Sequence, residues 1–558
     1  MSHEQSRGDA GRGSVVTAMS SVDLGRWRKR NAAERAAVAD VQYLRQDVTE
    51  YGYLEHVAPV RLARGLDPFP AADAEELRQR LAAESRPDRA DEVHALVDGL
   101  PDHLGTTLLQ PHPVRIALIA DQFFATSLDG TAHLVAMTPD NWRDVHEETD
   151  LLLITSTWRG QSKEWFGLPR GWSARRLVID EIAPHYRRHG KPVVFWSKED
   201  PPHFERFLPL AKAADHVVTT AEEKLDDYRS ACGDAASFQT LSFGVNPMHH
   251  NPVGSRRERL AECLFAGSWR RDAYPERRRD GVEILRGVKD AGWDLMIHDR
   301  HFAETKAKWT FPQEFWSHVA PALEHSLLLK LQRLTDVQIN LNSVVSSRTM
   351  YANRVVELQA MGAFVLSNRN PGVAERFPDV AIIDAASEVA DALDATDEER
   401  YRRQMAGLRT VFAHHTSHAH VGQLLAAIGL PTHDAEPSVV VTGSHAAAMR
   451  LREIEGTPRP FVSTEDLRGT SAQVVVPVSD AVAYGQHHVT DLINGFRYTE
   501  SDFITKAVGL ANGKDHERVT VGDRDASAVW VGSAAWERFT ATGDVAGTGY
   551  AIDPFVAG

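Results

Sequence analysis

NLNSVVSSRTMYANRVVELQAMGAFVLS, residues 340–367, is the stretch on which the fold turns. It reads as the end of a strand, a polar Ser/Thr loop, a helix carrying Arg354 and Glu357, and a turn at Gly362 into another strand. In an open α/β sheet, ligands bind beyond the carboxyl ends of strands, where loops run into helix N-termini. Unpaired N–H groups and the positive dipole end suit a phosphate there, and Arg354 adds a forked cation for a pyrophosphate. Glu357, three residues on, shares that helical face and can accept hydrogen bonds from a ribose diol. The pattern outlines a nucleotide-sugar site. An amphipathic crossover helix with a surface ion pair would carry the same residues.

On either side, short apolar runs alternate with helical segments. VRIALIAD (114–121), TDLLLITSTW (149–158), KPVVFWSKEDP (191–201), DHVVTT (215–220) and SFQTLSFGVNP (237–247) read as five strands. After a hinge near residues 249–255, ECLFAGSW, WDLMIHD, VQINLNS, AFVLSN and VAIIDA read as five more. Strands alternating with helices imply βαβ units and parallel sheets. The expected fold is therefore α/β, with two Rossmann-like domains facing each other across a cleft, a helical N-terminal extension and a small α/β C-terminal module. The boundaries follow composition: a disordered polar tail at 1–22, the helical extension at 23–110, a first Rossmann-like domain at 111–250, a second at 251–430 closed by a helical pair from about 397, and the small module at 438–558.

At 558 residues the chain exceeds one core, since domains run to about 150 residues. A formal net charge of −15, with no long Lys/Arg stripe, argues against a nucleic-acid partner. Two cysteines, Cys232 and Cys263, make no metal spacing or disulfide framework and fit a reducing compartment. No apolar run reaches 18 residues, so no membrane-spanning helix is expected, and the N-terminus has no signal-peptide pattern. The expected location is cytoplasmic.

Four separated segments carry a resemblance: KPVVFWSKEDPPHFERFLPLAKAADHVVTT, FGVNPMHHNP, LFAGSWRRDAYPERR and the opening stretch. Together they resemble the CgeB-like (spore maturation protein) glycosyltransferases over roughly residues 114–430. That family implies a GT-B fold, a nucleoside diphosphate sugar as donor substrate with no further cofactor and no metal, and a donor site in the second domain. The acceptor, carried mainly by the first domain, would be a carbohydrate, a protein or a small molecule. Residue by residue, the resemblance puts Gly267 and Ser268 where backbone approaches the diphosphate, Arg270 or Arg271 on a phosphate, and Arg354 and Glu357 as the R-x-x-E of the donor helix. Many retaining GT-B enzymes carry a second acid eight residues before that glutamate. Here the position is Thr349, so Ser346, Thr349 or a backbone group would replace it, and the stereochemical course stays open.

Lys198, Glu199, Asp200 and His203 follow a buried strand, where titratable groups are costly unless they face a cleft or each other. Lys198 suits the leaving diphosphate, and Glu199, Asp200 or His203 a base for the acceptor hydroxyl. A structural network among them is the competing reading. Trp158, Trp165 and Trp196 offer flat faces for sugar rings. Histidines 414 and 418 have helical spacing without a metal-site partner. The segment VVVPVSDAVAYGQHHVTDLINGFRYTESDFITK (474–506) resembles half of a family 2 (GT-A) glycosyltransferase reduced to one acid, Asp480, and is expected to serve acceptor binding or homodimer formation. The expected activity is glycosyl transfer; the alternatives are a UDP-sugar epimerase of the same architecture and a non-catalytic carbohydrate-binding or assembly protein.

Overall fold

The computed structural model describes residues 74–171, 173–233, 237–255, 260–271, 273–303, 309–507 and 515–553. The expected tail and the extension up to residue 73 lie outside them. Of the extension, helices Ala74–Glu84 and Arg89–Leu96 are described. Both lie on the second domain: Leu81 joins the core around Phe265 and Ile297, Val93 that around Leu264 and Met296, and Arg89 makes a buried ion pair with Glu262 at 2.8 Å.

The first domain is a six-stranded parallel sheet of β1 (His112–Ile119), β2 (Ala132–Ala136), β3 (Leu151–Thr155), β4 (Val193–Ser197), β5 (His216–Thr219) and β6 (Ser237–Thr240), in the order 2-1-3-4-5-6. β3 and β4 are buried at every residue, as parallel strands covered on both faces must be, which is why they read as unbroken apolar runs. The edge strand β2, half exposed, lacks that signal and escaped the sequence reading. The second domain repeats the architecture with β7 (Leu260–Gly267), β8 (Asp294–Asp299), β9 (Val319–Pro321), β10 (Thr335–Asn340), β11 (Phe364–Asn368) and β12 (Ala381–Ile383), in the order 12-11-10-7-8-9. Two doubly wound sheets in series make the GT-B frame.

The closing helical pair departs from expectation. Helix Asp397–His414 stays on the second domain, but helix Ser417–Ala427 crosses back: Val421, Leu424 and Leu425 pack on Val114, Ile116 and Leu118 of β1. The apolar spacing of that helix gives its buried face but not which sheet it covers.

The C-terminal module is a mixed sheet of β13 (Val439–Gly443), β14 (Val474–Val478), β15 (Phe503–Lys506), β16 (Glu517–Val521), β17 (Ser527–Trp530) and β18 (Ala546–Ile552), in the order 13-14-17-15-18-16. It is docked onto the second domain through one continuous core that runs from Val355 and Phe412 to Phe496 and Tyr550. Arg409 adds a bidentate pair to Asp491 at 2.8 Å, and Lys506 bridges Asp491 (2.8 Å) and Asp553 (2.6 Å). Asp480 sits on the surface, held by Ser444 and Arg450 rather than in an acidic cluster.

Candidate functional site

In the second sheet the connections reverse direction between β7 and β10, and the crevice beyond their carboxyl ends is where a doubly wound sheet takes its ligand. β7 ends at Gly267, and β10 leads into the loop 341–353. That loop is fixed by amides: Asn342 accepts from the Ala352 N–H (2.9 Å), and Asn370 donates to the carbonyls of Val344 (2.8 Å) and Met350 (3.1 Å). Helix Arg354–Ala360 follows. The Arg354 guanidinium lies over the end of β7: a Cβ on Gly267 would stand 3.1 Å from its Nη1 and 2.9 Å from the Phe265 ring. Only glycine leaves that space open.

Two further arginines, not among the sequence-derived candidates, share the crevice. Arg300 is the first residue after β8 and donates its N–H to the Gly267 carbonyl at 2.8 Å. Arg277, buried on helix Pro275–Asp290, donates to the carbonyls of Ser268 (3.0 Å) and Leu341 (3.3 Å), tying together the loops that follow β7 and β10. Burial, and then the charge of Arg300, push Arg354 down to about 10; burial, with Arg354 next, does the same to Arg277. His325, opening helix His325–Leu334, feels Arg300 and Arg354 as well, and its ring lies 4.8 Å from that of Phe123 in the first domain. Three cations held together, with no carboxylate among the described residues bonded to any of them, form a site for a multiply charged anion.

Glu357 stands one turn along the same helix. Burial pushes its carboxyl up to about 7, against the pull of Arg354 and Arg300. It accepts from the Asn353 amide at 2.6 Å. His250, buried and pushed down to about 3, is neutral at pH 7. Its Nδ1 accepts from the Asn246 N–H (3.3 Å), so the ring proton is on Nε2, which lies 3.7 Å from the Glu357 carboxyl, beyond hydrogen-bond reach.

One expectation is corrected. The amides at the start of the Arg354 helix are not free: those of Val355, Val356 and Glu357 bond back to Ala352 and Asn353. With seven residues, the helix also has little dipole to offer, so positive charge in the crevice comes from the arginines. The other donor-side candidates separate. Ser268 supplies its carbonyl to Arg277. Arg270 lies over the Trp309 ring at 4.6 Å, on the cleft side where its charge reaches His203. Arg271 is committed to the carbonyls of Thr310 and Phe311, both at 2.8 Å, and holds a loop. Ser346 is exposed, and Thr349 accepts from the Glu222 N–H of the first domain at 2.8 Å. Thr349 therefore lines a different, interdomain cavity of about 550 Å³ with Thr240, Arg376, His415 and His420.

In the first domain the sheet order reverses between β1 and β3, and Asp121 and Ser156 mark that crevice. Lys198 ion-pairs with Asp121, which also caps helix Gln122–Leu128, and takes the Ser156 hydroxyl on its N–H at 2.8 Å. Glu199, raised by burial, bonds to Trp158 and stands 3.9 Å from His203. Asp200 is turned away: fully buried, it accepts from Thr219 (2.7 Å) and Tyr228 (3.0 Å) and has no route to an acceptor. Trp165 and Trp196 are core residues, while Trp158, half-buried with its ring 4.9 Å from that of His203, stays near the cleft.

Residues 277–426, spanning the helix of Arg277, Arg300, Arg354 and Glu357, match the family described as glycosyl transferase-like. Curated proteins searched by sequence give no match. Among solved structures, an alpha-glucosyltransferase in complex with UDP is 9% identical, with 56% of this chain and 98% of that one covered at a TM-score of 0.40. A glycosyltransferase from Rickettsia africae is 12% identical, with 56% and 97% covered at 0.37. An alpha,alpha-trehalose 6-phosphate synthase from Burkholderia multivorans is 13% identical, with 55% and 82% covered at 0.33. These overlaps are shallow, and the fold rests on the sheet orders. The matched segment, set in a GT-B pair of Rossmann-like domains, marks the chain as a glycosyltransferase.

Proposed function

We propose that the protein transfers a sugar from a nucleoside diphosphate to an acceptor hydroxyl, in the manner of the CgeB-like enzymes it resembles. The observation that carries this reading is the cluster of cations at the switch point of the second sheet: the Arg354 guanidinium lies over Gly267, and the charge of Arg300, whose N–H holds the Gly267 carbonyl, reaches both Arg354 and the buried Arg277. A leaving diphosphate gains negative charge as the glycosidic bond breaks, and preorganised cations in a part-buried crevice stabilise that charge without a metal. Glu357 lies one turn from Arg354, where its carboxyl suits a ribose diol. Glu199 and His203 are positioned for the acceptor, whose hydroxyl must lose a proton. Lys198 supports the first-domain loop through Asp121. No helix among the described residues is long and apolar enough to cross a membrane, and a cytoplasmic setting, where nucleotide sugars are made, fits the donor.

The test is a thermal-shift screen of UDP-, GDP-, dTDP- and CMP-sugars, followed by chromatography of the stabilising donor with and without glycan and small-molecule acceptors. Stabilisation by one donor class, and nucleotide release that rises with acceptor, are expected. Interconversion of sugar epimers without acceptor, or no stabilisation by any donor, would overturn the proposal.

A further inference from the structure

At the amino ends of β3 and β4, opposite the cleft, three histidines meet. His146 lies on helix Trp142–Glu148, which leads into β3; His185 and His189 lie one turn apart at the end of helix Ala183–Arg188, which leads into β4. One ring nitrogen from each lies within 4.8 Å of the other two, and the ring centroids are 4.3–4.6 Å apart. His146 is 5% exposed, and its Nε2 is buried without a hydrogen-bond partner. A buried imidazole nitrogen left unmatched is costly, so the fold keeps it at a loss unless something else satisfies it.

The geometry of the cluster suits a metal. The His189 Nδ1 donates to the His185 carbonyl at 2.8 Å, which fixes the tautomer and leaves Nε2 with its lone pair, the arrangement by which ligating histidines are oriented. Neutral nitrogen donors match zinc-class ions. Bonds of about 2.0–2.1 Å place tetrahedral nitrogens about 3.4 Å apart. The exposed His189, at the helix end, can close the remaining gap, and its open side leaves a fourth position for water.

We propose that His146, His185 and His189 bind one divalent transition-metal ion of the zinc class, which clips the helix ahead of β3 to the helix ahead of β4. Arg143, Arg188 and Lys191 stand close enough to oppose the charge and so weaken the binding. Arg143 lies over the Trp142 ring at 4.0 Å, and Lys191 is drawn to the His146 carbonyl, so neither fills the centre of the cluster.

The experiment titrates zinc chloride into the full chain, stripped with chelator, by calorimetry and thermal denaturation. One equivalent is expected to bind and raise Tm. His189→Ala should weaken that binding at least tenfold and abolish the rise, with the metal-free Tm unchanged because the residue is exposed. His185→Asn should act in the same way, which covers the case in which the buried His146 cannot be changed without loss of fold. Cobalt should give the visible spectrum of a tetrahedral nitrogen site in the wild type alone. Equal zinc affinity in wild type and His189→Ala, as binding by other histidines of the 26 would give, or no binding in the wild type, would overturn the proposal.

Discussion

Replacing Arg354 with Met should make the unliganded protein more stable and its donor site worse. Burial and the Arg300 charge push Arg354 from 12.5 to about 10. A base lowered in the folded state pays for its charge at every pH below the folded value, so the penalty is fully present at pH 7. The displacement corresponds to at most about 3 kcal/mol, and because the side chain is partly open to solvent, about 1–2 kcal/mol is the realistic gain. Met keeps the apolar stem and drops the charge, which for a unit of this size should raise Tm by roughly 3–6 °C. The same change removes charge-assisted hydrogen bonds to phosphate, each worth about 1.5–3 kcal/mol, so the dissociation constant for the nucleoside diphosphate should rise roughly 10- to 150-fold. Thermal denaturation with and without UDP or GDP, beside calorimetry, reads both effects. A variant that melts lower than wild type and binds the nucleotide equally well would refute the reasoning.

Glu357→Gln should flatten part of the pH dependence of stability. A carboxyl raised from 4.5 to about 7 favours folding fully below the unfolded value and loses that contribution as pH rises through the folded one, a change of up to about 3 kcal/mol. Chemical denaturation between pH 5 and 8 should show wild type losing stability relative to the variant; parallel curves would count against the buried acid. Gly267→Ala places a Cβ 3.1 Å from the Arg354 guanidinium, so diphosphate affinity should drop several-fold, by calorimetry, with a stability change below about 2 kcal/mol. In an acceptor-dependent assay, Glu199→Gln should slow transfer by about 100-fold or more, whereas Asp200→Asn should change the rate less than about threefold. The reverse ranking would move the acceptor base to Asp200.

Much of the frame was legible because parallel strands buried on both faces are unbroken apolar runs, as LLLIT and VVFWS are. Edge strands were not: β2 and β9 are short or half exposed and carry no such run. Arg354 and Glu357 could be found from their place after a strand and loop. Arg300 holds the same kind of place, directly after WDLMIHD, and was open to the same rule; Arg277 was hidden in a basic run that resembles a solvated helix start. The path of helix Ser417–Ala427 onto the first sheet is a matter of tertiary packing, on which helical spacing is silent. Asp200 and Arg271 show the opposite failure, since residue type and position cannot tell a side chain that faces the cleft from one that holds a loop. The histidine cluster draws on helices about 40 residues apart, joined only by the fold.

The most direct measurement is a crystal structure of the protein soaked with the nucleoside diphosphate that stabilises it. The account predicts phosphate oxygens about 3 Å from the Arg300 and Arg354 guanidinium groups, beside the backbone of Gly267. A diphosphate bound instead in the cavity between Thr240, Arg376 and His420, with both arginines untouched, would contradict it.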